Sequence, residues 1–375
     1  MGSVLTELRR MISPLEDSLR NPEKCQKELL RELLESYSST TYGLEHQAQE
    51  IESVEEYQRS FPVLTYERLK PLIERVMEGD YRALLHEKPL KWVLTRGSTG
   101  KPKLLPVTRK HVEEIFKCGS RALIAYILRS GDYELLDGGV LNLNLPSIVG
   151  TLRLHGGKEP YGYSSGTYAK LNPKLAGLKL VPKQEEIDKL TAGMTKEDWE
   201  KRFEAVYERA TSEKIISAIG VAPVQISFAR YLKKRHGIYP KDLWRFHAVF
   251  STSVPKIQTR YKPLFEAYYG KTPVIEMYTA TEGAFAQQID DFPYIVPNYD
   301  VYFFEVKMGR KFKMLYELKR GEWGRLIVST SMLPRYDIGD MIECMGKNYF
   351  RVFGRAKLRV VIEHILYRAL FKWFL

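Results

Sequence analysis

The residues best suited to chemistry lie in one short stretch between two apolar runs, WVLTRGSTGKPKLLPVT at residues 92–108. Its centre combines two glycines, two hydroxyl residues and two lysines: Gly97, Ser98, Thr99, Gly100, Lys101 and Lys103. Glycines let the backbone turn tightly and approach a ligand, and the amides of such a turn can bind an anion. The stretch therefore favours a phosphate-binding loop over an ordinary polar turn.

The spacing of this loop differs from that of a standard nucleotide triphosphatase. A Walker A loop requires Gly-x-x-x-x-Gly-Lys followed by Ser or Thr, whereas Pro102 follows Lys101 here. A Gly-Ser-Thr-Gly cluster alone is also common in plain turns. Its place after a predicted strand and before Lys-Pro-Lys makes the phosphate-binding interpretation more specific.

Two later segments carry further groups suited to binding a nucleotide. They are YTATEG at residues 278–283 and PRYDIGD at 334–340, and FGR follows at 353–355. Considered singly, an aromatic residue at the end of an apolar strand is usually a core residue, and acids are mostly solvated. The ordered occurrence of all three segments favours nucleotide binding over those separate explanations.

In this order the segments resemble the signatures of the adenylate-forming superfamily of acyl-CoA synthetases, peptide-synthetase adenylation domains and luciferases. TYGLEH at 41–46 and the segment 53–85 are also similar to the auxin-responsive acyl-acid amido synthetase family and its prokaryotic relatives. The resemblance runs from about residue 20 to about residue 355. Within this branch, Arg96 stands where a small hydroxyl residue is usual, and Thr281 replaces the usual Ser.

The resemblance implies a two-step reaction. A carboxylic acid attacks the α-phosphate of MgATP, which gives an acyl-adenylate and pyrophosphate, and an amine then takes the acyl group. Two alternatives stay open: an acyl-CoA ligase of the same superfamily, with a thiol as acceptor, and a catalytically degenerate protein that binds nucleotide or acyl groups without turnover.

The same resemblance implies a role for each motif residue. The six loop residues would hold the β- and γ-phosphates, and the Tyr278 ring would lie against adenine. Thr281 and Glu282 would be catalytic, the first through the α-phosphate and the second as a Mg²⁺ ligand, since Mg²⁺ binds through few carboxylates plus phosphate. Asp340 would accept the ribose hydroxyls, and Arg355 would donate to the ribose or phosphate.

Helix-start signals mark the first 90 residues. Pro22 follows the potential cap Asn21, and Ser53 is followed three residues later by Glu56 in a capping box. Leucines at helical spacing follow the first signal: Leu29, Leu30, Leu33 and Leu34. Thr65 is a further potential cap, for a helix that runs to Gly79.

Strands and helices then alternate, which predicts a mostly parallel sheet. The predicted strands are 91–95, 139–146, 215–221, 246–253 and 272–280, and the predicted helices are 109–129, one from Thr195, about 224–236 and about 254–269. Residues 147–174, rich in Gly, Ser, Tyr and Pro, predict a long functional loop or irregular hairpins and the wall of the acid pocket. From residue 292 strands dominate, and the basic segment 307–321 predicts a hairpin with one wet face.

The predicted fold class is α/β: the large N-terminal domain of an adenylate-forming enzyme, with mixed β-sheets flanked by helices. We expect a helical region at 1–90, an adenylating core at 91–355 with a strand-rich part from about 292, and a tail at 356–375. Family members continue with a mobile C-terminal domain of roughly a hundred residues that carries a catalytic lysine. The expectation is therefore a missing or truncated small domain, with ATP bound but adenylate formed slowly.

The tail itself allows several interpretations. His364, Arg368 and Lys372 share one face of a possible helix. It could be a docked core helix, a basic helix at a membrane surface, or the altered end of a truncated chain.

Bulk properties limit the remaining function classes. The 375 residues are 44% hydrophobic and carry a net charge of +12, which could attract nucleic acid, lipid or ATP. The sequence lacks aromatic-basic stacking motifs and long apolar runs, so nucleic acid and membrane partners are disfavoured. Three scattered cysteines and no signal-peptide core indicate a cytoplasmic protein.

Overall fold

The structure is a computed structural model that describes residues 2–95, 102–172, 178–190, 192–252 and 254–370, with side chains up to residue 368. Its N-terminal part is helical: α1 Gly2–Arg20, α2 Pro22–Ser38, α3 Thr41–Glu45, α4 Val54–Ser60 and α5 Tyr66–Met77. The predicted start signals are confirmed at two helices, because Pro22 opens α2 and Ser53 forms a complete capping box with Glu56. Thr65 precedes α5, but its side chain makes no capping hydrogen bond.

A four-stranded sheet follows, in the order β2-β1-β5-β4. Its strands are β1 Lys91–Thr95, β2 Lys103–Val107, β4 Gly150–Leu154 and β5 Gly157–Tyr163. β1 and β2 are antiparallel, and the glycine-rich loop connects them. The segment predicted as a loop or irregular hairpins forms the β4–β5 hairpin and then helix α8, Ser164–Leu171.

The central sheet has seven strands in the order β11-β10-β9-β8-β7-β3-β6. They are β3 Gly139–Asn142, β6 Lys179–Val181, β7 Ile215–Val221, β8 Ala248–Thr252, β9 Val274–Ala280, β10 Gly283–Gln287 and β11 Val296–Pro297. β6, β3, β7, β8 and β9 are parallel, as the alternation predicts, and β10 and β11 add an antiparallel edge.

Helices cover both faces of this sheet. They are α6 Arg109–Gly119, α7 Arg121–Ser130, α9 Gln184–Ile187, α10 Lys196–Ala210, α11 Ala222–His236, α12 Pro240–Leu243 and α13 Lys262–Tyr269. Ile215 and Ile216, neighbours on β7, pack into opposite cores, since successive strand side chains point to opposite faces. One core involves α10, α11 and α13, and the other α1 and α7.

The single helix predicted over 109–129 is instead two helices, α6 and α7. They meet at Ser120, whose hydroxyl donates to the carbonyl of Lys117 at 3.0 Å. Such local side-chain bonds compete with the helical ladder, and the preceding Gly119 has low helix propensity. The break separates α6, which faces the candidate site, from α7, which packs on the central sheet.

The last sheet is antiparallel, in the order β13-β12-β14-β15-β16. Its strands are β12 Phe303–Met308, β13 Lys311–Met314, β14 Trp323–Ser329, β15 Tyr336–Gly346 and β16 Tyr349–Arg355. The hairpin predicted over 307–321 lies earlier, as β12–β13, and its predicted second half includes a 3-10 helix at Leu315–Glu317. The N-terminal helices are tied to this sheet, because Gln26 of α2 bonds the backbone of Tyr299, Tyr302 and Phe304.

The tail forms helix α14, Leu358–Leu370, which docks through its basic face. His364 is buried and stacks on the Phe353 ring with centroids 3.9 Å apart, and Arg368 lies 3.7 Å from the carboxylate of Glu343. The buried acid on β15 thus accounts for the orientation. Among the described side chains of the helix, five large hydrophobic ones are exposed: Leu358, Ile362, Ile365, Leu366 and Tyr367.

No helix in the described part of the chain is both long and apolar enough to cross a bilayer. The division of the chain at residues 90, 292 and 355 remains a prediction.

Candidate functional site

The turn between β9 and β10 lies at the carboxyl end of the parallel strands, where ligands of open α/β sheets bind. It consists of Thr281 and Glu282, and both are only 7% exposed. Gly283 is required next, because a Cβ there would lie 2.6 Å from the Phe285 ring. Acidic side chains are mostly exposed, so a buried carboxylate in a two-residue turn indicates a functional role.

Glu282 lies beside Tyr336, the tyrosine of the Tyr-x-x-Gly-Asp motif in residues 336–340. Burial raises the pKa of Tyr336 well above its ordinary value, and the neighbouring Glu282 carboxylate raises it further. The ammonium group of Lys103 donates to the Tyr336 hydroxyl at 3.1 Å and lies 5.2 Å from the ring centroid of Tyr66. Lys103, Tyr336 and Glu282 therefore form a continuous polar chain between the glycine-rich loop and the β9–β10 turn.

Asp340 is the second buried acid of this region. It lies directly opposite Arg355 in the β15–β16 ladder, and Arg355 Nε is 3.1 Å from its Oδ1. Its Oδ2 accepts a 2.7 Å hydrogen bond from the Tyr278 hydroxyl. Burial raises the pKa of Asp340, against the opposing effects of Arg355 and Tyr278. Each carboxylate oxygen retains acceptor capacity, which suits a pair of ligand hydroxyls.

The Tyr278 ring belongs to the hydrophobic core. It is 8% exposed and packs against Phe285 and Phe350, with centroids 5.6 and 6.4 Å away. This matches the ordinary role of an aromatic residue at the end of an apolar strand, and the hydroxyl is the part that reaches Asp340. Contact of the ring with adenine stays a prediction.

The Thr281 turn is held by helices that the motifs did not indicate. Its hydroxyl donates to Ser164 Oγ at 2.9 Å, and its carbonyl accepts from Tyr168 Oη at 2.9 Å and from His111 Nε2 at 3.1 Å. The composition of residues 147–174 was the only sequence signal for Ser164 and Tyr168, and no signal marked His111. Because the single hydroxyl proton of Thr281 points to Ser164, a hydrogen bond to an α-phosphate requires that hydroxyl to rotate.

The structure thus brings six predicted residues into one region: Lys103, Tyr278, Thr281, Glu282, Asp340 and Arg355. The charge of Glu282 contributes to the raised pKa of both Tyr278 and Asp340, which places the two acids within electrostatic reach. The other five predicted residues, Gly97, Ser98, Thr99, Gly100 and Lys101, lie outside the described residues.

A magnesium ion in this region would rely on few protein ligands. Among the described residues, no group of three or more His, Cys, Asp or Glu side chains could hold a metal together. A buried carboxylate such as Glu282 supplies the hard oxygen that Mg²⁺ prefers, with the remaining ligands coming from phosphate and water.

Comparison with known proteins finds similarity to one family over part of the chain. Residues 11–175 match the model of the GH3 family N-terminal domain. It is 32% identical over 101 residues to indole-3-acetic acid-amido synthetase GH3.2 of Arabidopsis thaliana, a segment that covers 26% of this chain and 18% of that protein. It is 31% identical over 141 residues to jasmonoyl-L-amino acid synthetase JAR6 of Nicotiana attenuata, which covers 35% and 23%. The aligned part therefore spans about a fifth of the GH3 relatives.

Solved structures share the fold of nearly the whole chain. AtGH3.15 acyl acid amido synthetase in complex with 2,4-DB superposes with a TM-score of 0.78 at 17% identity, over 94% of this chain and 71% of that one. An open conformation of 2-hydroxyisobutyryl-CoA ligase superposes with a TM-score of 0.60 at 14% identity, over 88% and 74%. The predicted fold class is confirmed: this is the α/β large domain of the adenylate-forming fold.

Proposed function

We propose that this chain activates a carboxylic acid with ATP as an acyl-adenylate and transfers the acyl group to an amine. The observation that carries the proposal is the approach of two buried acids, Glu282 and Asp340, from two different sheets. Asp340 is paired with Arg355, and Glu282 is linked through Tyr336 to Lys103. Asp340 suits the hydroxyl groups of a sugar, and Glu282 suits a metal ion next to phosphates.

The proposed roles follow from these contacts. Asp340 accepts the ribose hydroxyls, and Arg355 opposes the effect of burial, which raises the pKa of the Asp340 carboxyl. Lys103 and the glycine-rich loop neutralise the phosphates, which stabilises negative charge where it develops. Magnesium, held by Glu282, would supply charge neutralisation at the phosphates. In the first step a carboxylate oxygen bonds to the α-phosphorus and pyrophosphate leaves; in the second, an amine nitrogen bonds to the acyl carbon and AMP leaves.

The relatives support the amine as acceptor, since by name they include indole-3-acetic acid-amido synthetases and a jasmonoyl-L-amino acid synthetase. A thiol acceptor is the alternative, because the fold is shared with a CoA ligase. The three cysteines are free thiols, which supports the proposed cytoplasmic location.

Exchange of labelled pyrophosphate into ATP, measured across a panel of carboxylic acids, tests the first step. Exchange with at least one acid supports the proposal, even at a low rate, because the label accumulates with time. ATP binding without exchange for any acid would favour a nucleotide-binding protein without turnover. For an active acid, adding amino acids or CoA in separate reactions distinguishes an amide product from a thioester.

A further inference from the structure

The backbone carbonyl of Thr281 receives two hydrogen bonds from two different helices. Tyr168 of α8 donates from its hydroxyl at 2.9 Å, and His111 of α6 donates from Nε2 at 3.1 Å. The two donors also lie 3.2 Å from each other. Both lone pairs of the carbonyl oxygen are therefore used.

The contact of His111 Nε2 with the Thr281 carbonyl calls for a proton on Nε2, because a carbonyl oxygen can only accept. The side chain is fully buried, and burial lowers the pKa of its imidazole to about 4, so the ring is neutral near pH 7. A neutral ring has one N–H, and only an Nε2–H can donate to the carbonyl of Thr281. Nδ1 is then an acceptor, and it has no hydrogen-bond partner among the described residues. The imidazole of His111 therefore bonds to the turn through Nε2.

Peptide geometry carries this constraint to the next residue. The carbonyl oxygen of Thr281 and the nitrogen and Cα of Glu282 belong to one planar group. Fixing the oxygen from two sides therefore fixes the position from which the Glu282 side chain starts. Burial raises the pKa of the Tyr168 hydroxyl, and the charge of Glu282 raises it further, so that carboxylate lies near the same two donors.

We propose that His111 and Tyr168 are positioning residues that hold the Thr281 carbonyl and so place the Glu282 carboxylate for its metal. This inference rests on the proposed function, in which Glu282 binds magnesium. It assigns to α6 and α8 a role in the metal dependence of nucleotide binding. Neither side chain is required to touch the nucleotide.

The test measures ATP affinity by calorimetry with Mg²⁺ and with EDTA, and uses the ratio of the two affinities. Tyr168→Phe removes one oxygen and one donor, and we expect the ratio to fall about fivefold, the value of a typical hydrogen bond. His111→Leu should lower it similarly. His111→Gln keeps an N–H donor at a comparable distance along the side chain and should restore much of the ratio.

Tyr269→Phe is the matched control. The Tyr269 hydroxyl is also buried and also donates to a backbone carbonyl, that of Gln225 at 2.7 Å. This contact lies between α13 and α11, in the core that these helices form with the central sheet. It should lower the urea midpoint as Tyr168→Phe does, because each variant leaves a buried carbonyl with one donor fewer. The affinity ratio should stay that of the wild type.

The outcomes separate the two claims. If the wild type shows no gain in ATP affinity with Mg²⁺, the metal role of Glu282 fails and this inference fails with it. If the wild type shows that gain and Tyr168→Phe keeps it at the level of Tyr269→Phe, only the positioning role is overturned. Tyr168→Phe decides the matter even if His111→Leu does not fold, since it changes a single oxygen.

Discussion

The hydroxyl of Tyr278 lies 2.7 Å from Asp340 Oδ2 and donates a hydrogen bond to it. Tyr278 belongs to β9 of the central sheet, and Asp340 belongs to β15 of the antiparallel sheet. The bond therefore joins two sheets at the candidate site. Because the ring is packed in the core, the hydroxyl acts on Asp340 and the ring maintains its position.

Tyr278→Phe should weaken nucleotide binding while the fold is retained. The variant keeps the ring contacts and removes only the hydrogen bond that orients Asp340. A hydrogen bond to a charged acceptor contributes about 1.5–3 kcal/mol. The lower end of that range corresponds to a fall in ATP affinity of about tenfold, which is the change that we expect. Calorimetric titration checks this, and an affinity equal to that of the wild type would show that the ring alone matters.

Asp340→Ala should remove the contacts to the ribose. Loss of a charge-assisted hydrogen bond of about 1.5–3 kcal/mol corresponds to a tenfold or greater fall in affinity. The fall should be the same with Mg²⁺ and with EDTA, because the ribose carries no metal. Titration with adenosine as well as ATP is the measurement, and unchanged affinity for both would remove Asp340 from the site.

Unlike Asp340→Ala, Glu282→Gln should affect ATP affinity in a way that depends on the metal. The substitution removes a negative charge and keeps the shape of the side chain, so it should weaken MgATP and leave metal-free ATP nearly unchanged. Equal losses in both conditions would contradict the role of Glu282 as a magnesium ligand. Asp340→Ala and Glu282→Gln therefore serve as controls for each other.

The sequence predicts much of the site because each motif is local. Strand β9, a hairpin in the basic segment and the capping box at Ser53 follow from short sequence patterns, because the interactions that favour each lie within a few residues. The opposition of Asp340 and Arg355 needs only the register of one hairpin.

The contacts that the sequence does not predict join residues distant along the chain. His111 and Thr281 are 170 residues apart, and Tyr168 and Thr281 are 113 apart. No local pattern encodes such pairs, since they depend on how α6 and α8 pack against the central sheet. The orientation of α14 has the same origin: its basic face turns inward onto Glu343 and Phe353, which belong to other elements.

Arg335→Leu should destabilise the protein strongly. Arg335 and Glu305 form a buried pair at 2.8 Å, and Arg335 also donates to the carbonyls of Gln58 and Phe61. Removing the guanidinium leaves a buried carboxylate without its counter-ion, which costs about 3–5 kcal/mol. Urea unfolding measures the free energy of unfolding. A loss below about 1 kcal/mol, the level of an exposed pair, would contradict the buried geometry.

Glu114→Gln should change how stability depends on pH. Burial raises the pKa of Glu114 from 4.5 to about 7, although Ser331 donates to its carboxylate at 2.8 Å. Between these pH values the folded chain keeps a proton that the unfolded chain has lost. This contribution is therefore complete below pH 4.5 and is lost as the pH rises through 7.

Glutamine stays neutral and can still accept from Ser331, so the variant should gain stability relative to the wild type on going from pH 5 to pH 8. The raised pKa of Glu114 corresponds to a change of about 2–3 kcal/mol in the free energy of unfolding over this pH range. Urea unfolding of both proteins at the two pH values measures the double difference, which removes the contributions of other groups such as His111. A difference that does not change with pH would show that Glu114 titrates normally.

The most direct test of the account is acid-dependent exchange of labelled pyrophosphate into ATP, measured side by side for the wild type, Glu282→Gln and Tyr269→Phe. The account predicts that at least one carboxylic acid supports exchange in the wild type and in Tyr269→Phe, that exchange requires Mg²⁺, and that Glu282→Gln reduces it on the order of a hundredfold. Exchange that is equally fast in Glu282→Gln, or no exchange with any acid from a chain that binds MgATP, would contradict it.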